Sequence, residues 1–348
     1  MLKVTNNFLN NLIMTQAPLL LIGGAGAIGR QTAQFLRATH PEVPLLIGGR
    51  DLAKADAAAA EIGNAQGVRL DLTAPGLGLG QRSISAVVIF YMDHTLAALR
   101  FAQERGVPFL SISTGIFEIA PEIAAYMHQP HAAPIVLGYE WLVGATTLPA
   151  LAAANAFGRV QGITIGALVD EQDAGGPAVA ADFAHFAQLL PAAFTRRDGA
   201  YIWRAGEEAR TTFRAVDGTL VDATGFSSID VVGLATATNA PNVQFNLAMG
   251  VSSSRRRGEP KSTEIILELS GEDHAGQPLR TRQAVVHRGG AAPLTGLGVA
   301  MLLERLTGLD GQPPTPAGLY FPYQLLEPTI YFARLAQSGG LVLPLEVL

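Results

Sequence analysis

The feature that most constrains this chain is a turn, Gly24-Ala25-Gly26-Ala27-Ile28-Gly29, set directly after the apolar run Pro18-Leu19-Leu20-Leu21-Ile22. A run that is apolar at every position, not at every second one, describes a strand buried on both faces. The residues after Gly29 follow a helical pattern to about Ala38. The three glycines have separate physical uses. Gly24 allows a tight turn, Gly26 lets backbone approach a ligand with no Cβ in the way, and Gly29 lets helix and strand pack closely. The first amides of the helix, around Ala27 and Ile28, have no intrahelical partner and are expected to face a diphosphate. In a chain with 38 glycines the spacing alone is weak, and it gains weight from the strand before it and the helix behind it.

The alternation continues. Pro44–Ile47 reads as a second strand, Asp51 as the cap of an alanine-rich helix to Ile62, and Gly67–Leu70 as a short third strand ending at Asp71. A loop over Thr73–Gln81 precedes a fourth strand, Ala86–Phe90. A helix over His94–Arg105 stops at Gly106, and Val107–Ile112 is the fifth strand. Repeated strand–helix–strand units with doubly apolar strands predict an α/β fold, a doubly wound parallel sheet of the Rossmann type.

After about residue 150 the pattern changes. Val160–Val169 alternates like a half-buried strand, and Pro177–Phe194 reads as an amphipathic helix. Asp217-Gly218 within Phe213–Val221 marks one hairpin. Glu264–Leu269 and Leu279–Val286, flanking Gly271–Gln277, mark another. These predict a second, α+β domain with an antiparallel sheet, whose free face would suit a homodimer. Ala291–Leu306 and Leu325–Gln337 read as helices around the prolines at 313, 314 and 316.

The second strand bears on which dinucleotide. Sites for NAD place an acid about 20 residues past the glycines, on the ribose hydroxyls. Here the residues are Ile47-Gly48-Gly49-Arg50. A guanidinium can hold a 2′-phosphate that a carboxylate would repel. NADP(H) is therefore expected over NAD(H), with Arg50 as the anchor and Gly48 and Gly49 making room. Asp51 is the residue that could turn inward in place of Arg50. Asp71 is expected at the adenine edge or as a loop cap.

Composition narrows the alternatives. Hydrophobic residues make up 49% and charged residues 15%, so there is material for a large core. A formal net charge of −5, with only Arg255-Arg256-Arg257 as a dense basic spot read as a solvated loop, argues against nucleic acid. There is no cysteine, which removes disulfides and thiolate chemistry and fits a cytoplasmic location. The histidines show no metal-ligand spacing, so no metal is expected. Residues 1–17 lack the apolar run of a signal peptide and read as an extension, with Met14 as an alternative start. Ala132–Phe157 is interrupted by Glu140 and prolines, so no membrane span is expected.

With LLLIGGAGAIGR at the first turn, LLIGGR after the second strand, Leu70-Asp71 after the third, and AVVIF followed by a helix and GVPFL, the chain resembles the saccharopine dehydrogenase-like family of NAD(P)-dependent proteins. Pro134-Ile-Val-Leu-Gly-Tyr-Glu-Trp, leading to Pro149, resembles the segment by which such proteins pass into their second domain. The resemblance implies that C-terminal helices complete the first domain. The expected division is residues 18–150 plus about 288–348 for the dinucleotide and 151–287 for substrate or dimerisation. Where a small glycine- or proline-containing turn is expected after the fourth strand, this chain has Tyr91-Met92-Asp93-His94-Thr95.

Ligands of open α/β sheets lie at the carboxyl ends of the strands. Tyr91 after the fourth strand, and Ser113 and Thr114 after the fifth, are expected to border the nicotinamide. His94 could relay the proton that accompanies hydride transfer, a role suited to an imidazole, oriented by Asp93. The alternative is that Asp93 caps the helix and His94 merely begins it. At the domain junction, Tyr139 could protonate a forming oxyanion and Glu140 could bind an amine, or both could be packing residues. The functions these residues allow are an NADP(H)-dependent oxidoreductase acting on a small metabolite at a C–N or C=O bond, a non-catalytic NADP(H) sensor, or an enoyl or quinone reductase.

Overall fold

The computed structural model describes residues 17–113, 115–116, 118–173 and 192–347. The expected N-terminal extension lies outside these residues except for its last position. So does the expected helix over 177–194 up to residue 191, and its last three positions belong to a strand.

The first layer is a parallel sheet of seven strands. They are β1 (Leu19–Ile22), β2 (Leu45–Gly49), β3 (Ala65–Arg69), β4 (Ala86–Ile89), β5 (Phe109–Ser111), β6 (Pro134–Leu137) and, far along the chain, β15 (Gly318–Tyr320). Their spatial order is β15-β6-β5-β4-β1-β2-β3, with every pairing parallel. The reversal of strand order beside β1 is the doubly wound arrangement expected from the sequence. Along β1, Leu19 and Leu21 enter one apolar cluster while Leu20 and Ile22 enter another, all fully buried. Helices cover both faces, which is why alternation is absent from the strand. They include α1 (Ala27–Thr39), α2 (Leu52–Ile62), α3 (Ala97–Arg105) and α4 (Ile119–His128), whereas α5 (Thr147–Ala154) packs against β7 and β13 of the second sheet.

The second layer contains β7 (Phe157–Asp170), β8 (Ala192–Arg197), β9 (Ala200–Ala205), β10 (Arg210–Arg214), β11 (Leu220–Gly225), β12 (Asn242–Gly250), β13 (Thr263–Asp273), β14 (Pro278–His287) and β16 (Gly340–Pro344). Seven of them follow the order β10-β11-β12-β7-β13-β14-β16, and β8 joins β12 to β9. Both predicted hairpins are present. The sheet is mixed, however, not antiparallel throughout: β7 and β12 run parallel over nine residue pairs, from Asn242–Gly162 to Gly250–Asp170. Helix α6 (Asp230–Thr238) connects β11 to its antiparallel neighbour β12. After α6, β12 is followed by the single-turn α7 (Ser253–Arg256).

The C-terminal part is divided between the layers. Helix α8 (Ala291–Thr307) lies beside α1, and a Cβ added at Gly296 would come within 2.7 Å of Gln31 Cβ. Helix α9 (Pro328–Gln337) leads to β16, which pairs with β14 in the second sheet. One apolar cluster runs from Leu21 and Val88 of the first sheet to Ile165, Phe245 and Leu267 of the second, so the two layers share a core.

Three local readings are corrected. Helix α3 begins at Ala97, not His94, because Leu96 takes a left-handed conformation (φ +55°) and the Asp93 carboxylate folds over the turn. Helix α9 begins at Pro328, with Glu327 accepting a bond from the Ile330 amide at 2.7 Å. The three consecutive arginines are not simply solvated. Arg255 pairs with the buried Asp170 at 2.8 Å, Arg256 with Asp217 at 2.6 Å and Arg257 with Glu259 at 3.3 Å.

Candidate functional site

At the carboxyl end of β1 the backbone reverses at Gly23, which has φ +84° and donates its amide to the Gly48 carbonyl at 2.7 Å. The Gly24 amide donates to Leu21 at 3.1 Å and the Gly26 amide to Gly23 at 2.9 Å, closing the turn. A Cβ at Gly29 would lie 2.5 Å from Gly24 Cα, and one at Gly24 would lie 2.9 Å from Leu21 Cβ. The first and third glycines therefore exist for packing. Gly26 differs: it is exposed, and the nearest atom to an added Cβ is the Gly23 carbonyl at 3.3 Å. Its surface is left open toward solvent beside Ala27 and Ile28.

Gly26 is the N-cap of α1, with no side-chain cap and no acid in the first helical turn. The amide end of the helix is thus open and carries its partial positive charge outward. Arg30 braces the turn, donating from Nε to the Ala25 carbonyl at 3.0 Å while pairing with Glu61. The Tyr91 ring covers the turn from the end of β4, its Cδ1 3.0 Å from where a Gly23 Cβ would be. Burial raises the pKa of the Tyr91 phenol and Asp93 adds to the effect, while the Arg50 charge opposes it. Arg50 is therefore electrostatically close to Tyr91. It is exposed, with no hydrogen bond or ion pair among the described residues.

Asp51 does not compete with Arg50. Its carboxylate accepts the Lys54 amide at 3.1 Å as the cap of α2. Of the two neighbouring glycines, Gly49 faces open space, but a Cβ at Gly48 would lie 2.3 Å from Leu70 Cδ1. Gly48 makes room for Leu70, and the expectation that it makes room for a phosphate is corrected. Asp71 is exposed and bends onto its own loop, accepting from the Thr73 amide at 2.9 Å and the Thr73 hydroxyl at 2.6 Å. The Thr73 bonds hold its carboxyl below the usual range.

The proton-relay candidates fall in three places. Asp93 accepts from the Thr95 amide and hydroxyl and from the Ala98 amide at 2.9 Å, the geometry of a helix cap; His94 is exposed beside it. Tyr139, beyond β6, is buried, with its hydroxyl on Ser111 at the end of β5 and on the Glu122 carboxylate of α4. Ser111 Oγ is also 3.3 Å from Glu122. Glu140 points away from that cluster, accepts the Thr147 hydroxyl at 2.5 Å, and is buried with Asp230. Thr114 lies outside the described residues.

The sequence reading missed Gly23, Arg30, Glu122 and Asp230. A lone acid within the apolar Ile119–Tyr126 stretch was a visible signal for Glu122. Nothing local marked Asp230, which reads as an ordinary acid at a helix start. No group of three or more His, Cys, Asp or Glu residues among the described residues could hold a metal ion. None of the described helices is long and apolar enough to cross a membrane.

A parallel sheet with this strand order, followed by a mixed second sheet, defines a Rossmann-like α/β fold. Neither a scan of protein-family models nor a search of curated proteins finds a match. Solved structures do match. Apo saccharopine dehydrogenase (L-Glu forming) from Saccharomyces cerevisiae has a TM-score of 0.63 at 14% identity, over 94% of this chain and 100% of that one. The homospermidine synthase of Legionella pneumophila, in complex with NAD, has a TM-score of 0.61 at 9% identity, over 95% of this chain and 92% of that one. This chain has the saccharopine dehydrogenase-like fold, in line with the resemblance carried by its motifs.

Proposed function

We propose that this protein is an NADP(H)-dependent oxidoreductase that acts on a small metabolite at a C–N or C=O bond. The observation that carries the reading is the turn at residues 23–29, where a helix end without side-chain cap or first-turn acid meets an exposed glycine, with the exposed guanidinium of Arg50, unpaired among the described residues, nearby. These residues fit the group. The amides at Ala27 and Ile28 would hold a diphosphate, Gly26 would allow its close approach, and Arg50 would hold a phosphate on the adenosine ribose. The chemistry such a group supplies is hydride transfer to or from carbon.

The residues that border this end of the sheet would do the rest. Tyr91 would wall the nicotinamide side of the turn. The Tyr139 hydroxyl, backed by Ser111 and Glu122, is the group we assign to proton movement, since Asp93 is committed to capping α3. Residues 18–150 together with helix α8 would carry the dinucleotide, and the second sheet would carry substrate contacts and pairing of two copies. A sensor without turnover is the second reading. It is supported by the burial of Tyr139 and Glu140, both already engaged with protein groups.

Calorimetry with NADPH and NADH tests the cofactor reading. The expected result is tighter binding of NADPH, with Arg50→Ala losing about tenfold to a hundredfold of that preference, the range for one charge-assisted contact. Equal binding of both dinucleotides, or a preference unchanged in Arg50→Ala, refutes it. Oxidation of NADPH in the presence of imines or ketones separates enzyme from sensor.

A further inference from the structure

Two carboxylic acids meet at the seam between the layers. Glu140 follows β6 where the chain leaves the parallel sheet, and Asp230 opens α6 above the second sheet. They are 3% and 0% exposed. The Trp141 amide, next to Glu140, donates to Asp230 Oδ2 at 2.8 Å, so the two acids are held together through one peptide unit.

Their surroundings contain no cation among the described residues. Glu140 accepts the Thr147 hydroxyl of α5 at 2.5 Å and the Tyr323 amide, ahead of α9, at 3.5 Å. Asp230 Oδ2 also accepts the Ser228 hydroxyl, while Asp230 Oδ1 is buried with no hydrogen-bond partner among the described residues. The titratable groups facing Glu140 are Asp230, Tyr323 and Tyr331 of α9. The Tyr331 hydroxyl is buried and likewise without a partner. Two ionised carboxylates in such a place would each lose hydration and repel the other, so a bound proton is the lower-energy state. Burial pushes Asp230 up to about 6. Burial, with the Asp230 charge added, pushes Glu140 well above the usual carboxylate range.

We propose that Glu140 and Asp230 form a proton-operated latch: with a proton on the pair the seam between the two sheets is closed, and loss of that proton loosens it. Repulsion would act between β6 and α6, which belong to different layers, and would be transmitted through α5 and α9, which carry Thr147 and Tyr331. The latch does not depend on what the glycine turn binds.

The chain has two tryptophans. Trp203 is exposed, whereas the Trp141 indole packs on Phe226 and Phe245 at 5.5 and 5.4 Å between ring centroids. Trp203→Phe therefore leaves a single emitter beside the pair. Its emission, followed from about pH 5 to 9 across the raised carboxyl range, is expected to shift to longer wavelength in one transition centred above about pH 6. Glu140→Gln or Asp230→Asn, which keep an acceptor oxygen, are expected to remove that transition. The thermal midpoint of the parent is expected to fall by on the order of 5 °C between about pH 5.5 and 8.5. Both variants should flatten this slope and equal or exceed the parent in midpoint at the alkaline end. A transition that persists in both variants overturns the latch. So does a lower midpoint than the parent in both variants at alkaline pH, or loss of folding in both, because each would mean that charged carboxylates stabilise the seam.

Discussion

Single atoms decide the glycine turn. Gly29 and Gly48 are both required to lack a Cβ, but for different neighbours. At Gly29 the obstacle is the Gly24 backbone at 2.5 Å; at Gly48 it is the end of the Leu70 side chain at 2.3 Å. Backbone cannot move aside, whereas Leu70 can change rotamer, so the two substitutions should differ in kind. Gly29→Ala is expected to cost about 2–3 kcal/mol of stability and to weaken dinucleotide binding, since it separates α1 from β1. Gly48→Ala is expected to cost about 1–2 kcal/mol and to leave the preference between NADPH and NADH unchanged. Urea denaturation and calorimetry on the two variants check both statements; a changed preference in Gly48→Ala would restore the phosphate-side role that its burial against Leu70 contradicts.

At the scale of elements, helix α8 is held by a residue far away in sequence. Asp173, just past β7, accepts the Ala291 amide at 2.7 Å, the Thr263 hydroxyl at 3.1 Å and the Lys261 ammonium at 2.8 Å. Gly290 admits it, because a Cβ there would lie 2.3 Å from Asp173 Oδ2. Among the described residues a carboxylate meets the amide end of α8, whereas α1 beside it has no side-chain cap and no acid in its first turn. Asp173→Ala is expected to lose about 1–2 kcal/mol, the value of a helix cap, and to weaken NADPH binding through displacement of α1. A thermal midpoint and an NADPH affinity both equal to the parent's would rule this out.

The whole molecule combines two opposed pH dependences. Burial alone would raise Asp170, but the Ser252 hydroxyl, the Gln172 and Ser252 amides and Arg255 outweigh it and bring the group down to about 2. A carboxyl lower in the folded chain than in the unfolded one, about 3.9, adds stability above that value and loses it as pH falls toward 2. The buried pair does the reverse: the folded state holds the extra proton, so stability declines as pH rises from about 4 to 6 through Asp230, raised to about 6, and further through the raised range of Glu140. Thermal midpoints measured from about pH 2 to 9, spanning both windows, are expected to peak on the acid side of neutrality. Arg255→Ala should weaken the acid limb only, and Asp230→Asn or Glu140→Gln should flatten the descending limb only. A midpoint that rises steadily to pH 9 contradicts this assignment.

Much of the first sheet was legible from the chain, because the information is local. Continuous apolarity over Leu19–Ile22 and Ala86–Ile89, caps at Asp51 and Gly106, and the Asp217-Gly218 turn each follow from the conformational preferences of a few neighbouring residues. Strands β6 and β15 were not legible as part of that sheet. They are four and three residues long, and only the neighbouring strands give them a ladder to join. The parallel pairing of β7 with β12, the packing of Leu70 into Gly48, and the meeting of Glu140 with Asp230 link residues tens of positions apart in sequence, and no local pattern encodes such a contact. The sequence by itself determined the first five strands of the parallel sheet, the two hairpins and the open helix end. Tertiary structure decided which carboxylates became helix caps, which were buried without a counter-charge, and which remained near the site, since burial and distance are set only when the two layers close on one core.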